Sequence, residues 1–180
     1  MALLISLLLS CDRNHQLQDQ KAIKIIYDTD MGNDTDDILA LILLHNYVDL
    51  GMVDLLGVGT SKDHPYSAPY IDLVNTWYKH SDIPIGVVRN APTVDSIMAI
   101  PRYLTTVVDL EEEGEVVFKR SIRDYGALMP ADLLYRKLLA AAPDHSVVMI
   151  SVGMYTNLAH LLETGPDKFS ELNGRDLVIQ

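Results

Sequence analysis

The stretch that decides the fold is Ile23-Lys-Ile-Ile-Tyr27-Asp-Thr-Asp-Met-Gly-Asn-Asp-Thr-Asp-Asp37, where an apolar segment runs directly into an acidic one. Residues 23–27 favour β-structure and are interrupted only by Lys24, which is typical of a strand buried on both faces of a parallel sheet. From Asp36 onward apolar residues crowd a helical stretch, and acids at its start suit the helix dipole. The sequence therefore predicts a strand, an acidic loop and a helix, in that order.

Strand and helix patterns alternate along the rest of the chain. Further strands are predicted at residues 53–59, 83–88 and 146–151, helices at 69–79, 131–142 and 156–162, and the beginning of a last strand at 176–180. The interval 90–129 is less regular, and its acidic run Glu111-Glu112-Glu113 is interpreted as a solvated loop or helix end. The alternation predicts an α/β fold with an open, mostly parallel, doubly wound sheet and helices on both faces.

Composition narrows the class of ligand. The 180 residues fit one domain, and 48% of them are hydrophobic, which is enough to bury a core. The formal net charge is −11. Nucleic acid is therefore excluded as a partner, because phosphate binding requires clustered Lys and Arg. A cation or a neutral small molecule suits this surface better.

The N-terminal residues combine a short apolar run with a cysteine. The apolar run at residues 2–9 is too short to span a bilayer, which takes about 20 residues, and it ends in Leu8-Leu9-Ser10-Cys11. This pattern resembles the lipobox of bacterial lipoproteins, in which the cysteine is acylated. The resemblance implies a signal and tether at 1–21, a domain at 22–180, and a periplasmic or outer-membrane lipoprotein held only by a lipid anchor. Because a charged n-region is missing, a frayed apolar terminus is the alternative.

The acidic loop follows the first predicted strand, at the edge where open α/β sheets bind ligands. Its aspartates are Asp28, Asp30, Asp34, Asp36 and Asp37. Two unit charges 4 Å apart repel by about 4 kcal/mol at an effective dielectric of 20, so a compact loop favours a bound cation. Oxygen ligands without nearby His or Cys favour Ca²⁺ or Mg²⁺ over zinc. One or two of these acids could serve only as helix caps, but not all five.

Two separated blocks resemble a known family. Asp28-Thr-Asp-Met-Gly-Asn-Asp-Thr-Asp-Asp37 is similar to the signature Asp-x-Asp-Pro-Gly-x-Asp-Asp-Ala-x-Ala of the inosine-uridine-preferring nucleoside hydrolases. Ser151-Val-Gly-Met-Tyr-Thr-Asn157-Leu-Ala159 resembles the Gly-Pro-Leu-Thr-Asn-Leu-Ala segment of the same family. Met31 replaces a proline, and the first block is two residues longer than usual. The resemblance implies Ca²⁺-dependent hydrolysis of ribonucleosides to ribose and free base.

The resemblance assigns metal ligands and the catalytic group. It implies that Asp30 is catalytic, binding Ca²⁺ and positioning or deprotonating the attacking water. It implies that Asp37 holds the ion with both oxygens and that the main-chain carbonyl of Val152 completes this part of the shell. Because of the longer loop, Asp34 stays open as an alternative ligand.

The resemblance also assigns substrate contacts and partners. It implies that Asp36 binds the ribose hydroxyls, that Asp28 supports the site from beside the metal, and that Asn157 belongs to the substrate-binding set. The implied partner is a small-molecule nucleoside, in purine or pyrimidine salvage, and the implied assembly is a homo-oligomer. Members of the family continue well beyond the position of Gln180, so we expect the N-terminal part of such a domain, with little activity alone.

Two other interpretations stay open. In a haloacid-dehalogenase-type phosphatase Asp28 would be the nucleophile, Asp30 the general acid and Mg²⁺ the metal, with Ser151 in the second motif. In a non-catalytic nucleoside- or ribose-binding lipoprotein the loop would bind without turnover. An EF-hand is excluded because the loop lacks Glu at its twelfth position. No leaving-group acid is identified among His45, His64, His80, His145 and His160, which are interpreted as ordinary histidines.

Overall fold

The computed structural model describes residues 21–32, 34–91 and 102–180, and this part of the chain is an α/β fold. The strands are β1 (Ile23–Thr29), β2 (Val53–Thr60), β3 (Ile85–Val87), β4 (Glu111–Glu112), β5 (Glu115–Val116) and β6 (Val147–Ser151). The helices are α1 (Asp36–Asp49), α2 (Ser67–Trp77), α3 (Arg102–Val108), α4 (Ala131–Ala140), α5 (Thr156–Glu163) and α6 (Gly174–Ile179). The predicted candidate lipidation site, Cys11, lies outside the described residues.

The main sheet has the order β3-β2-β1-β6, and its three strand pairings are all parallel. The chain moves outward from β1 through β2 to β3, then crosses back to place β6 on the other side of β1. The direction of winding therefore reverses between β1 and β6. In open sheets of this kind the ligand crevice lies at the carboxyl ends of the strands where the winding reverses.

Helices cover both faces of the sheet, as the doubly wound prediction requires. Because side chains alternate along a strand, β1 contributes to two cores. Ile25 and Tyr27 pack into the layer that contains α1 and α2. Ile26 packs into the other layer, against residues of α4 and α5. The predicted fold class is confirmed, and β1 is buried from both sides.

The interval left unassigned in the sequence contains α3 and a small hairpin. Glu111 and Glu112 are exposed, but they pair in the antiparallel β4–β5 hairpin instead of forming a loop or helix end.

Asp72 of α2 is buried and accepts hydrogen bonds from Ser121, Ile122 and Tyr125. Burial alone would raise the pKa of Asp72, but these donors outweigh burial and lower it.

A buried arginine fixes the segment between α5 and α6. Arg136 of α4 is fully buried, and its guanidinium donates to both carboxylate oxygens of Asp167 at 3.0 and 3.1 Å. It also donates to the Thr164 hydroxyl and to the carbonyls of Ser170 and Leu172. The planar fork of arginine can satisfy this many acceptors at once. In the described part of the chain no buried side-chain nitrogen or oxygen lacks a partner.

The predicted strand at residues 176–180 is wrong, because the chain forms helix α6 there. The Asn173 side chain caps this helix by accepting from the backbone N–H of Asp176 at 3.0 Å. Leu177 is 4% exposed and α6 packs against α4 and α5, while Ile179 is 74% exposed. The run Leu177-Val-Ile179 favours a strand locally, but capping and tertiary packing override that preference.

Leu177→Ala is expected to destabilise the fold by about 2–5 kcal/mol, since it leaves a cavity under α6, whereas Ile179→Ala should change stability by less than about 0.5 kcal/mol. The two positions would face the same side of a strand but face different sides of a helix. Urea denaturation of both variants measures the difference. Equal losses at both positions would contradict the helix.

Candidate functional site

Neighbouring side chains at the carboxyl end of β1 point to opposite faces of the sheet, because side chains alternate along a strand. Asp28 has the same orientation as Ile26 and meets residues of α4, α5 and β6. Thr29 faces the opposite layer and donates its hydroxyl to Asp37 at the start of α1. The acidic loop is therefore anchored on both sides of the sheet.

The carboxylate of Asp28 is almost completely buried and accepts three hydrogen bonds. The Tyr135 hydroxyl donates at 2.5 Å, the Asn157 amide at 2.8 Å and the Ser151 hydroxyl at 3.2 Å. Burial raises the pKa of Asp28 to about 6, although these donors oppose the rise. Hydrogen bonds thus hold Asp28 in place at the carboxyl end of β1, and the buried Asn157, predicted to contact substrate, donates to Asp28 instead of facing open solvent.

A glycine makes the contact between Tyr135 and Asp28 possible. Gly59 lies opposite Asp28 in the neighbouring strand β2. A Cβ atom at Gly59 would lie 1.7 Å from the Tyr135 hydroxyl oxygen, so any side chain there would displace the ring. The tyrosine reaches the central strand only because β2 carries no side chain at that point.

Asp37 is the second buried carboxyl group of the loop. It accepts from the Thr29 hydroxyl, and its main-chain carbonyl accepts from the Tyr27 hydroxyl at 2.9 Å. Burial raises the pKa of Asp37 to about 7. The hydrogen bond from Thr29 lowers it, and the charges of nearby aspartates raise it. A carboxyl group of this kind binds a proton or a cation readily at neutral pH.

Asp34, Asp36 and Asp37 form a compact group of carboxylates. One oxygen from each lies within 4.8 Å of the other two. The Asp36 carboxylate accepts from the backbone N–H of Asp37 at 2.9 Å. A hydrogen bond between the carboxyl groups of Asp34 and Asp36 raises the pKa of Asp34 and lowers that of Asp36. The Tyr103 hydroxyl donates to the Asp34 carbonyl and ties the loop to α3.

Asp30 follows Asp28 by two residues, and its negative charge contributes to raising the pKa of both Asp28 and Asp37. Its main chain is packed against the turn after β6. A Cβ at Gly153 would lie 2.3 Å from the Asp30 nitrogen. Val152, whose carbonyl is a predicted ligand, donates its N–H to the Asp28 carbonyl at 3.0 Å, so its main chain also borders the loop.

Ser61 joins the three loops that follow β1, β2 and β6. Its backbone N–H and its hydroxyl both donate to the Thr29 carbonyl, at 2.8 and 3.2 Å. The same hydroxyl accepts from the backbone N–H of Met154 at 3.0 Å. These hydrogen bonds hold the segments at the carboxyl ends of the three strands together.

The donor chemistry of the loop fits a hard divalent cation. The group of Asp34, Asp36 and Asp37 offers only carboxylate oxygens, and among the residues that the structure describes no His or Cys joins it. Ca²⁺ and Mg²⁺ prefer such oxygens, whereas structural zinc sites use His and Cys. Asp34, left open as an alternative ligand, is part of the group, and Asp30 lies near enough to act on it electrostatically.

The candidate histidines have no role in this group. His45 is buried at the far end of α1, where its ring nitrogens lie 2.9 Å from Asn75 Oδ1 and 2.9 Å from His80 Nδ1. Burial lowers the pKa of His45 to about 4. His64 accepts the N–H of Tyr66 on its Nδ1 at 3.2 Å. Hydrogen bonding within the fold accounts for His45 and His80.

Comparison with known proteins addresses the fold. No protein-family model and no curated protein matches the chain. A solved structure titled "Crystal structure of the effector protein XOO4466" is similar, with a TM-score of 0.62 and 17% identity. The match covers 92% of this chain and 44% of that chain, so this chain spans less than half the length of that protein. At this identity the likeness shows the fold alone.

The sequence indicated the acidic loop, but not the residues that hold it in place. Tyr135, Ser61 and Thr29 carry hydrogen bonds of the site, yet their sequence context gives no motif for that role. Tyr135 lies within the predicted helix at 131–142, and Thr29 lies inside the quoted acidic block. Only the long-range pairing of β1 with β2 and β6 reveals what these side chains meet.

In the absence of a divalent cation, the protein is expected to become more stable as the pH falls from 7.5 to 5. Because the pKa values of Asp28 and Asp37 are raised to about 6 and 7, the folded state holds protons that the unfolded chain has released. This contribution is complete below about pH 4 and is lost as the pH rises through 6 and 7. Urea midpoints at both pH values measure it.

Asp37→Asn should remove much of this pH dependence, changing the ratio of folding constants at pH 5 and 7.5 on the order of tenfold. The control is Asp82→Asn, at an exposed acid remote from the loop. Calcium should reverse the trend in the unsubstituted protein, because it binds the ionised carboxylates. Cation-free stability that instead increases steadily from pH 5 to 7.5 would contradict the raised pKa values.

Proposed function

We propose that the chain binds a divalent cation, Ca²⁺ in the first instance, at the acidic loop and hydrolyses the N-glycosidic bond of ribonucleosides. The observation that carries the proposal is the group of Asp34, Asp36 and Asp37, with Asp30 beside it, at the edge where the sheet reverses its winding. This placement supports the resemblance of the loop to nucleoside hydrolases. The carboxylate donors suit both a hard cation and the hydroxyls of a sugar.

In this proposal Asp30 is the group that takes the proton from the attacking water. The water oxygen forms a bond to C1′ of the ribose as the bond from C1′ to the base nitrogen breaks, and the electron pair of that bond goes to the base. Positive charge develops on the ribose ring, and the surrounding carboxylates stabilise it electrostatically. The buried carboxyl of Asp28 supports the floor of the site and does not react.

The remaining acids hold the sugar and the ion. Asp36 and Asp34 are exposed, so their oxygens can accept hydrogen bonds from the 2′ and 3′ hydroxyls or ligate the ion. Asp37 and the Val152 carbonyl are the further proposed ligands. A bound cation would supply positive charge that lowers the pKa of water and orients the ribose hydroxyls. Fixing the sugar against the water contributes through orientation.

The burial of Asp28 favours this reaction over phosphoryl transfer. A nucleophilic aspartate must present its oxygen to the phosphorus atom of the substrate. Here both Asp28 oxygens are engaged, by Ser151 on one side and by Tyr135 and Asn157 on the other, and the residue is almost fully buried. The arrangement suits a structural carboxylate better than the nucleophile of a haloacid-dehalogenase-type phosphatase.

The test compares p-nitrophenyl riboside with Ca²⁺ and p-nitrophenyl phosphate with Mg²⁺. We expect slow release of nitrophenol, from the riboside only. Asp30→Asn should lower that rate by about 10²–10⁴-fold, the usual contribution of a general base. Asp82→Asn, a change of the same kind at a remote exposed acid, should leave the rate unchanged. Activity must also disappear when the cation is chelated.

Two results would replace the proposal. Turnover of the phosphate alone would assign the site to phosphoryl transfer. Calorimetric binding of ribose and Ca²⁺ with no release of product would assign the chain to nucleoside binding without catalysis.

The idea that the protein is a bacterial envelope lipoprotein acylated at Cys11 is a separate proposal, based on Leu8-Leu9-Ser10-Cys11 alone. Among the described residues, no helix is both long and apolar enough to cross a bilayer.

A further inference from the structure

A cavity of about 330 Å³ lies at the carboxyl ends of β2 and β3. This volume is at the lower end of the range of about 300–1,000 Å³ that is usual for small-molecule sites. No step of the proposed hydrolysis uses the cavity. Its lining comes from the segment after β2, the first turn of α2, the end of β3 and the turn at residues 125–127, and includes Lys62, His64, Val87, Arg89 and Gly126.

The side chains around the cavity are more positive than negative, although the chain as a whole has a net charge of −11. Lys62 and Arg89 are cationic, and Asp63, which is exposed, is the one acid among the lining residues that the structure describes. Lys62 is only 6% exposed, so little water screens its charge inside the cavity. The cavity therefore favours an anionic group, whereas the acidic loop favours a cation.

Arg89 is held in place at the wall of the cavity. Its Nη2 donates to the carbonyls of Gly126 and Leu128 at 3.2 and 3.1 Å. A guanidinium has five N–H donors, and these two bonds leave those on Nε and Nη1 for a ligand. A guanidinium fixed in this way binds two phosphate oxygens in parallel and loses little side-chain freedom when it does so.

His64 adds a further donor to the cavity. Its Nδ1 accepts the N–H of Tyr66 at 3.2 Å, so the neutral ring carries its proton on Nε2. Phosphate oxygens accept hydrogen bonds and donate few, so a phosphate site needs donors of this kind. Lys62, His64 and Arg89 together supply charge and donors from two different segments of the chain.

The cavity is next to the acidic loop. The N–H of Ser61 donates to the Thr29 carbonyl at 2.8 Å, and the Ser67 hydroxyl donates to the Met31 carbonyl at 2.8 Å. The segment 60–68, which contributes to the cavity wall, is thus bonded to the loop near both of its ends. A single small ligand can therefore contact the cavity and the loop at the same time.

We propose that this cavity binds the phosphate group of a ribonucleoside 5′-phosphate or a related sugar phosphate. The assignment of the ribose to the acidic loop rests on the proposed function, whereas the assignment of the phosphate rests on Lys62, His64 and Arg89. If the loop holds the 2′ and 3′ hydroxyls, a phosphate on the 5′ carbon lies at the other end of the sugar. This arrangement keeps the phosphate away from the aspartates and beside the cations.

The test is isothermal titration calorimetry of the full chain with three probes. Inorganic phosphate is titrated without Ca²⁺, and ribose and ribose 5-phosphate are titrated with it. Neither sugar has a glycosidic bond to a base, so turnover does not interfere. We expect phosphate to bind, and ribose 5-phosphate to bind at least about tenfold more tightly than ribose, because hydrogen bonds between charged groups add to the affinity.

Arg89→Gln should weaken the binding of phosphate and of ribose 5-phosphate by about 10–100-fold, since it removes charge-assisted hydrogen bonds. The matched control is Arg175→Gln, at an exposed arginine of α6, which should change neither affinity. Because Arg89 also bonds two main-chain carbonyls, the melting temperature checks that the variant folds. His64→Leu is a second variant, with the same expected direction and a smaller effect.

The proposal is overturned if the folded chain binds no phosphate, or if Arg89→Gln and Arg175→Gln weaken phosphate binding equally. Binding of ribose and Ca²⁺ without any gain from the 5′-phosphate would also overturn it, while leaving the proposed function intact. Phosphate binding that depends on Arg89, in a chain that binds neither ribose nor Ca²⁺, would support the phosphate site and contradict the proposed function instead.

Discussion

The structure depends on a carboxylate buried at the end of its central strand. Asp28 is the penultimate residue of β1, next to the rest of the acidic loop. Its carboxylate accepts hydrogen bonds from three side chains, which belong to α4, α5 and β6. A buried carboxylate without such donors would be strongly unfavourable. The burial of Asp28 therefore requires the Tyr135 hydroxyl and the Asn157 amide as donors. It also requires the absence of a side chain at Gly59, which leaves space for Tyr135. It fixes where β1 ends and where the loop begins.

The rest of the acidic loop carries further negative charges beyond the buried Asp28. Thr29 anchors Asp37 in the opposite layer, and Asp34 and Asp36 stand exposed above the edge of the sheet. Like charges held this close raise the free energy of the cation-free protein. A bound cation or proton relieves the repulsion. The same feature that destabilises the empty loop is the one that would give it affinity for a metal ion and a sugar.

The sequence predicted the order of elements well because residues 23–27, 53–59 and 146–151 have the predominantly apolar character of buried parallel strands. It failed at residues 176–180, where the cap at Asn173 and the burial of Leu177 outweigh a local strand preference. The acidic residues were visible as a cluster, but their division between buried and exposed groups was not. That division depends on which strands flank β1, and no local pattern contains this information.

The number of protons that calcium displaces from the acidic loop tests the proposed cation site directly. Calorimetric titrations of Ca²⁺ in buffers of different ionisation enthalpy measure this number. Because the pKa of Asp37, a proposed ligand, is raised to about 7, proton release is expected at pH 6 and should fade by pH 8. Calcium binding with no proton release at pH 6, or no calcium binding at either pH, would contradict it.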